Sequence, residues 1–318
     1  MRAIPLLTLL LGGWFVVPAH ADEAQDWLTR LGQAEQQQSY HGTFVYERNG
    51  SFSTHNIWHR VQDGKVRERL LQLDGSAQEV VRIDGRTQCV SGILIAGLGD
   101  SPSSSARALD PQKLKNWYDL AVIGKSRVAG RAAVIVSLTP RDQHRYGFEL
   151  HLDKETGLPL KSLLLNERGQ LLERFQFTQL DTADVPSDGD LQPGADCKTV
   201  ALDSDKASAI KAAQVWRSDW LPPGFELTSS TSRKDPETKT QVNSLMYDDG
   251  LARFSVFLEP LNGATITDTR TQLGPTAAVS RRLTTPQGEM MVTVVGEIPI
   301  GTAERIALSM RSDATATK

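Results

Sequence analysis

Four tight-turn dipeptides near the start of the chain constrain its fold more than any other feature. They are Asn49-Gly50, Asp63-Gly64, Asp74-Gly75 and Asp84-Gly85. Such pairs favour two-residue hairpins, because both central residues of the turn take positive φ, which Gly, Asn and Asp tolerate best. The runs between them are rich in Val, Ile, Leu and aromatic residues. Residues 40–90 are therefore predicted to form an antiparallel meander.

Bulky side chains fall on both faces of these strands. Phe44 and Tyr46 share one face of the first strand, and Phe52 and Trp58 share a parity in the second. Further strands are predicted between residues 126 and 180, which brings the total to about ten or eleven with two covering helices. Since that is many for a flat sheet, we predict an incompletely closed antiparallel barrel.

The first residues resemble a secretory signal peptide. Arg2 precedes an apolar run at 4–17, and Ala19-His20-Ala21 fits a cleavage site, so we expect export and cleavage after residue 21. That run is too short for a stable span, and no later stretch approaches the roughly 18 apolar residues that a spanning helix needs. We expect no transmembrane segment in the mature protein.

The net charge argues against one class of partner, and the cysteine content allows one disulfide. The formal net charge is −3, and it becomes −4 when Arg2 leaves with the signal peptide, which argues against nucleic acid as a partner. Cys89 and Cys197 are the two cysteines. In an oxidising compartment they form either one disulfide or two free thiols, and the sequence leaves both states open.

Composition divides the chain into four parts. Residues 1–21 form the signal peptide, and residues 22–180 form the open-barrel domain. Residues 181–208 are rich in Asp, Ser, Pro and Gly and are predicted to be a linker. Residues 209–318 are predicted to form a smaller α+β domain.

The usual catalytic and metal motifs do not occur. There is no Gly-x-Ser-x-Gly elbow and no phosphate-binding loop, and neither cysteine belongs to a Cys-x-x-Cys pair. His55 and His59 are four residues apart, which on a strand places them roughly 13 Å from each other, too far for a metal pair. We expect no enzyme activity, no cofactor and no metal.

Five segments, in this order, resemble the RseB/MucB family. They are FVYER at 44–48, IWH at 57–59, LDKETGLPL at 152–160, WLPPGF at 220–225 and YDDGLARFSVF at 247–257. The resemblance covers essentially the whole mature chain. The third segment alone is less specific, because lipoprotein carriers use similar turns.

This resemblance implies a fold and a function. The fold is an N-terminal open antiparallel β-barrel with covering helices, similar to the lipoprotein carriers LolA and LolB, followed by a smaller C-terminal α+β domain. The function is binding of the periplasmic part of a MucA- or RseA-type anti-sigma factor. Such binding shields that factor from site-1 proteolysis and keeps an AlgU/RpoE-type sigma factor inactive. Lipid or lipopolysaccharide fragments relieve the inhibition, and alginate production is among the outputs.

The candidate site residues are aromatic and aliphatic. The predicted lipid pocket comprises Phe44, Tyr46, Trp58, Tyr118, Phe148 and Leu150. The hairpin around Phe254 and Phe257 is predicted to contact the partner. An ordinary hydrophobic core is the alternative interpretation of the pocket residues.

Two other functions stay open. A periplasmic lipid or lipoprotein carrier would hand cargo to an acceptor and ignore an anti-sigma factor; the missing lipoprotein cysteine and the extra C-terminal domain argue against it. A hydrolase built from distant residues is the second. The sequence leaves the lipid's identity, the partner surface and the choice between monomer and homo-oligomer undetermined.

Overall fold

The computed structural model has mainly antiparallel β-structure, as predicted. It describes residues 19–76, 78–92, 109–199, 216–234, 240–263, 267–286 and 288–312. Residues 1–18 of the predicted signal peptide and residues 200–208 of the predicted linker lie outside these ranges. Within them, no helix combines the length and apolarity needed to cross a membrane.

The described residues form three helices and nineteen strands. The helices are α1 (Ala19–Gln37), α2 (Pro111–Leu114) and α3 (Ile300–Ser309). The strands are β1 (Tyr40–Arg48), β2 (Ser51–Gln62), β3 (Lys65–Gln72), β4 (Glu79–Ile83), β5 (Arg86–Ser91), β6 (Tyr118–Val128), β7 (Arg131–Pro140), β8 (Gly147–Asp153), β9 (Pro159–Leu165), β10 (Leu171–Asp181), β11 (Lys198–Thr199), β12 (Trp216–Ser218), β13 (Glu226–Lys234), β14 (Gln241–Asp248), β15 (Arg253–Pro260), β16 (Thr269–Leu273), β17 (Thr276–Thr285), β18 (Gly288–Gly296) and β19 (Met310–Ser312).

The larger sheet, called here the N-terminal sheet, has eleven strands in the order β11-β5-β4-β3-β2-β1-β10-β9-β8-β7-β6. Neighbouring strands are antiparallel throughout. Since β11 and β6 are edges, the sheet does not close into a ring. Helix α1 covers one face, where Leu28 and Leu31 are buried against residues of β6, β7 and β8.

Three of the four predicted two-residue hairpin turns are confirmed, and the fourth, at Asp74-Gly75, is wrong because six residues separate β3 from β4. Asn49, Asp63 and Asp84 have φ of 55°, 52° and 50°, and the glycine after each also has positive φ. In the Asp74-Gly75 turn only the glycine is left-handed, and the Asp74 carboxylate accepts a hydrogen bond from the Thr54 backbone N–H instead. The turn residues therefore set the register of the meander.

The smaller sheet, called here the C-terminal sheet, has six strands in the order β13-β14-β15-β18-β17-β16. Helix α3 packs against one of its faces through Ala303, Ile306 and Ala307, all of which are buried. Strands β12 and β19 pair beside it. The other face of the sheet carries Phe257.

Residues 182–199, the first part of the predicted linker, are not a free connection and are called here the strap. They run along the N-terminal sheet, with Pro186 and Leu191 buried, and end in β11, which pairs with β5. A disulfide joins Cys197 to Cys89. The Asp, Ser, Pro and Gly residues of the strap form its own local turns. The ion pairs and the disulfide that fix the strap to the sheet are made with residues about 100 positions away.

Candidate functional site at the seam between the two sheets

The predicted lipid-pocket residues are packed in the interior and belong to two clusters. Phe44 and Tyr46 are 2% and 8% exposed and lie with residues of β10, where the ring centroids of Phe44 and Phe175 are 4.6 Å apart. The second cluster lies beneath α1 and includes Tyr118, Phe148 and Leu150. The structure therefore brings these five residues into one interior, but not around one common centre.

Trp58 lies on the opposite face of the sheet, so its assignment to the same pocket is wrong. Strand β2 turns His55, Ile57 and His59 inward, and the alternation of a strand then directs Trp58 outward. There its ring lies 5.1 Å from the Arg69 guanidinium. We call the face that carries Trp58 the outer face of the N-terminal sheet.

The two predicted partner residues also lie on opposite faces, because they are three positions apart on one strand. Phe254 is 1% exposed and stacks on Tyr247, with centroids 5.0 Å apart. Phe257 is 37% exposed, and its cross-strand neighbours are the small residues Ser244 and Thr293. Phe254 is a core residue, and Phe257 is the one of the pair that a partner can reach.

The two sheets meet at a buried arginine, and we call this contact region the seam. Arg145 Nη1 lies 2.5 Å from Asp249 Oδ2, and both side chains are fully buried. The same guanidinium donates to the carbonyl of Pro223 at 2.5 Å and to Asp142 at 3.0 Å. Tyr118 donates to Asp249 at 3.3 Å. One charged centre thus joins residues from both sheets.

The electrostatics of this centre follow from burial. Desolvation raises the pKa of Asp249, although Arg145 and the backbone N–H groups of Leu251 and Ala252 oppose that shift. Burial, followed by the nearby Asp249 carboxylate, raises the pKa of Tyr118 well above its usual value, so its hydroxyl stays a donor. A buried ion pair of this kind is strongly destabilising to break, because one charge is left without a partner.

A close backbone approach fixes the loop that enters the C-terminal sheet. Gly224 has φ of +88°, and a Cβ there would lie 2.2 Å from the Trp117 indole. Trp117, Tyr118 and Phe225 surround the Arg145 guanidinium at 5.1–5.7 Å from their ring centroids. Only glycine permits this packing, which explains the glycine at position 224.

A second arginine crosses the seam at the other end of the interface. Arg48, at the end of β1, contacts Glu173 at 3.7 Å in the N-terminal sheet and Glu297 at 3.4 Å in the C-terminal sheet. It also donates a hydrogen bond to Thr276. Beside it lies a cavity of about 230 Å³ lined by Glu47, Asn49, Gly50, Leu171, Leu172 and Gly274. This cavity is smaller than the roughly 300–1,000 Å³ of typical ligand sites.

The interior of the N-terminal sheet contains a group of buried titratable residues. His59 contacts Glu68 at 3.3 Å and the Glu35 carbonyl at 3.0 Å, and its ring stacks on Tyr40 with centroids 4.7 Å apart. Burial, reinforced by the neighbouring Glu68, raises the pKa of Glu35 to about 8. Helix α1, which carries Glu35, is thus packed on the sheet with a carboxyl group that is largely protonated at neutral pH.

The histidines are held by other contacts. His55 bonds to Ser53 at 2.8 Å, while His59 has the separate partners given above, so the two do not form a metal pair. His41, Asp181 and Asp184 place potential ligand atoms within 4.8 Å of one another. Asp181 Oδ1 already accepts hydrogen bonds from the backbone N–H groups of Ala183 and Asp184 in its own turn.

Arg145, Arg48 and Asp249 were missed by sequence reasoning. Arg48 and Asp249 lie in the family segments at 44–48 and 247–257, but neither was assigned a role, and Arg145 lies in none of the five segments. The one local signal for Asp249 was that two acidic residues precede a single glycine at 248–250. Their partners lie more than 100 positions away, so the sequence did not indicate that the second carboxylate would be buried.

Comparison with known proteins extends along the whole chain. Residues 23–195 match the MucB/RseB N-terminal domain and residues 210–311 match the MucB/RseB C-terminal domain. The sigma factor AlgU regulatory protein MucB of Pseudomonas aeruginosa is 62% identical over 320 residues, covering 100% of both chains. The sigma-E factor regulatory protein RseB of Escherichia coli is 30% identical over 293 residues, covering 89% of each chain.

A solved structure is similar over the same range. The crystal structure of MucB in complex with MucA(peri) superimposes with a TM-score of 0.78 at 62% identity, and covers 92% of this chain and 100% of that chain. The relatives named here are regulatory proteins and not enzymes. Both matched domains occur in the same order as in these relatives, and the chain therefore belongs to the MucB/RseB family of sigma-factor regulatory proteins.

Proposed function

We propose that this protein binds the periplasmic segment of a MucA-type anti-sigma factor and thereby keeps an AlgU-type sigma factor inactive. The observation that carries this proposal is the full-length similarity to a regulator of AlgU, at 62% identity. That similarity includes the chain that was solved together with MucA(peri). Both halves of this protein are needed for such a match, so the partner is proposed to engage the two-part molecule rather than one half.

The proposed location is the periplasm, after removal of residues 1–21. The Cys89–Cys197 disulfide supports this location, because disulfides persist in oxidising compartments. Bound to the anti-sigma factor, the protein would shield it from site-1 proteolysis, since a segment held on another protein's surface cannot enter a protease. The proposed outputs are repression of the envelope stress response and of alginate production.

The proposed partner surface is the outer side of the C-terminal sheet around Phe257. An exposed aromatic side chain among small residues is typical of an interface anchor, because burying it removes a large apolar area from water. Phe254 contributes indirectly by packing behind the same strand. This surface is available without any change in the core.

The proposed lipid site is the interior of the N-terminal sheet, which is filled in the present state. Five residues, Phe44, Tyr46, Tyr118, Phe148 and Leu150, would have to separate for an acyl chain to enter. Because Tyr118 also bonds to Asp249 across the seam, its displacement would break a contact between the two sheets. Lipid would then favour a state with a different affinity for the anti-sigma factor, as relief of inhibition requires.

A calorimetric titration of the protein with the periplasmic segment of its cognate anti-sigma factor tests the proposal. We expect Phe257→Ser to weaken binding by roughly ten-fold or more, since interface aromatic anchors contribute about 2 kcal/mol or more. Phe52→Ser is the matched control, because Phe52 is 63% exposed on the N-terminal sheet. Equal loss of affinity in both variants would remove Phe257 from the partner surface.

The same titration with lipid or lipopolysaccharide present separates the regulator from the carrier. A regulator binds the segment tightly and loses affinity when lipid is added. If the wild-type protein binds lipid but ignores the segment, the regulator proposal is wrong and the carrier function replaces it.

A further inference from the structure

Two arginines lie directly opposite each other on the outer face of the N-terminal sheet. Arg60 of β2 pairs with Arg67 of β3, and the next outward pair along the strands is Trp58 with Arg69. Side chains of directly paired residues are neighbours, and like charges in such positions repel. Lys65 has the same parity as Arg67 and adds a further positive charge. An anion between the guanidinium groups would relieve this repulsion.

That anion is supplied by the strap. Asp188 Oδ1 lies 2.6 Å from Arg60 Nη2 and 3.3 Å from Arg67 Nη1, so a single carboxylate oxygen bridges both arginines. The Asp188 side chain is nevertheless 76% exposed, whereas that of Arg60 is only 11% exposed. The two cations therefore belong to the sheet, and the anion is a solvent-exposed side chain of the strap.

The arginines have binding capacity that Asp188 does not use. Arg60 Nε is buried and has no hydrogen-bond partner among the described residues. Arg60 Nη1 donates to the Pro186 carbonyl at 3.2 Å, which fixes the orientation of the guanidinium. Arg69, by contrast, is occupied by Glu79 at 2.5 Å and by the Asp190 carbonyl at 3.0 Å. A ligand in the place of Asp188 would therefore meet Arg60 Nη2 and Arg67 Nη1, the donors that face this carboxylate.

Only the Asp188 side chain needs to move to free this capacity. Pro186 and Leu191 on either side of it are buried, and Glu79 accepts a hydrogen bond from the Gly194 N–H at 2.9 Å. The disulfide at Cys197 fixes the end of the strap. A rotation of the exposed Asp188 side chain would open the site while the backbone of the strap stays in place.

We propose that Arg60 and Arg67 form a binding site for a phosphate monoester, and that Asp188 occupies this site when the ligand is absent. A phosphate monoester carries a charge of about −1.5 to −2 and three acceptor oxygens, compared with one charge and one bridging oxygen from Asp188. It can accept from Arg60 and Arg67 together, in the forked geometry that guanidinium groups favour. The site lies away from the seam and from the aromatic interior, and it does not depend on the proposed function.

Binding of phosphate by the full-length protein without its signal peptide tests this site. Inorganic phosphate is titrated first, followed by vesicles of phosphatidylcholine with and without phosphatidic acid. We expect Asp188→Asn to bind phosphate roughly five-fold more tightly than wild type, because the internal competitor is lost. Arg67→Gln should weaken binding roughly five-fold or more, and Arg168→Gln, at a 78% exposed position in another turn, should change nothing.

The results of these titrations distinguish the two possible sources of the phosphate group. A stronger response to phosphatidic acid than to inorganic phosphate identifies a lipid headgroup as the source, and the reverse identifies free phosphate; both support the site.

Thermal unfolding of each variant checks that the strap and fold are intact. Arg67 is chosen because its side chain, 33% exposed, is the less buried of the two arginines. Equal phosphate affinity in Asp188→Asn, Arg67→Gln and wild type would overturn the proposal. So would tighter binding of a glutamate peptide than of phosphate, which would indicate a peptide groove instead.

Discussion

The interiors of the two sheets are built from different chemistry. The core of the C-terminal sheet is apolar, and its centre consists of Phe254, Val256, Leu258, Val292 and Val294, each at most 1% exposed. The N-terminal sheet has apolar clusters of its own, but it also buries several titratable side chains. These are Glu35, His55, His59, Glu68, Glu79, Arg82, Arg145, His151, Asp153 and Glu173. On the C-terminal side the buried carboxylates are Asp248 and Asp249, at the end of β14 and directly after it.

This difference indicates which part of the molecule responds to its surroundings. Burying apolar area stabilises a fold at any pH, whereas a buried charged or titratable group is tolerated only with suitable partners and the right protonation state. The C-terminal sheet is therefore suited to be a rigid platform. The N-terminal sheet and the seam are the parts where a proton, an anion or a displaced side chain can change the balance between states.

The largest expected effect on stability is in the core of the C-terminal sheet. Phe254→Ala should lower the free energy of unfolding by about 4 kcal/mol, because it leaves a cavity in a well-packed core. The loss should be the same at pH 6 and pH 8, as measured by urea unfolding. A loss that changes by more than about 1 kcal/mol between these pH values would contradict the description of this core as insensitive to protonation.

The next effect is expected at the seam. Arg145→Met should destabilise the protein by about 3 kcal/mol, because the Asp249 carboxylate is left buried without its cation. The double variant Arg145→Met with Asp249→Asn should recover part of that loss, since no unpaired charge remains. Arg141→Gln is the matched control: its ion pair with Asp119 is exposed and should contribute less than about 1 kcal/mol. Equal effects of Arg145→Met and Arg141→Gln would mean that the seam is not held by this pair.

Much of the N-terminal sheet could be predicted because its signals are local. The Asn-Gly and Asp-Gly turns favour positive φ at adjacent positions. The alternation of strand β8 correctly placed Phe148 and Leu150 on one buried face, although His151 and Asp153 on the other face are buried as well. The alternation of side chains along a strand, applied strictly, would also have placed Phe254 and Phe257 on opposite faces. The face of Trp58 was predicted wrongly, because His55 and His59 take the inward positions of the same strand although they are polar.

The seam and the strap could not be predicted because their determinants are distant in sequence. Arg145 contacts Asp249 across 104 positions, and Arg60 contacts Asp188 across 128. The strap has the composition of a linker, and nothing local distinguishes an Asp that ends a turn from one that bridges two arginines. Only the three-dimensional arrangement shows that these polar residues are paired with each other.

The smallest of the three stability effects concerns Glu35, and it tests whether the N-terminal sheet responds to pH. The pKa of Glu35 is raised from 4.5 to about 8 by burial and by Glu68, so the folded state binds this proton more tightly than the unfolded chain does. Its contribution to stability is complete below pH 4.5 and is lost as the pH rises through 8. Between pH 6.5 and 8 the wild-type protein should lose on the order of 1–2 kcal/mol from this group alone.

Glu35→Gln should remove that part of the pH dependence, whatever its effect on absolute stability. The window above pH 6.5 is chosen because burial lowers the pKa of His55 to about 4 and also lowers the pKa values of His144 and His151. Those histidines add stability as the pH rises through about 6.5, the pKa of an unfolded histidine, and most of that gain lies below the window. What remains above pH 6.5 is common to both proteins and cancels when their slopes are compared. Urea unfolding at pH 6.5, 7.2 and 8.0 measures the slope in both proteins. Parallel slopes would mean that Glu35 is already ionised at neutral pH, and that helix α1 does not depend on its proton to stay packed on the N-terminal sheet.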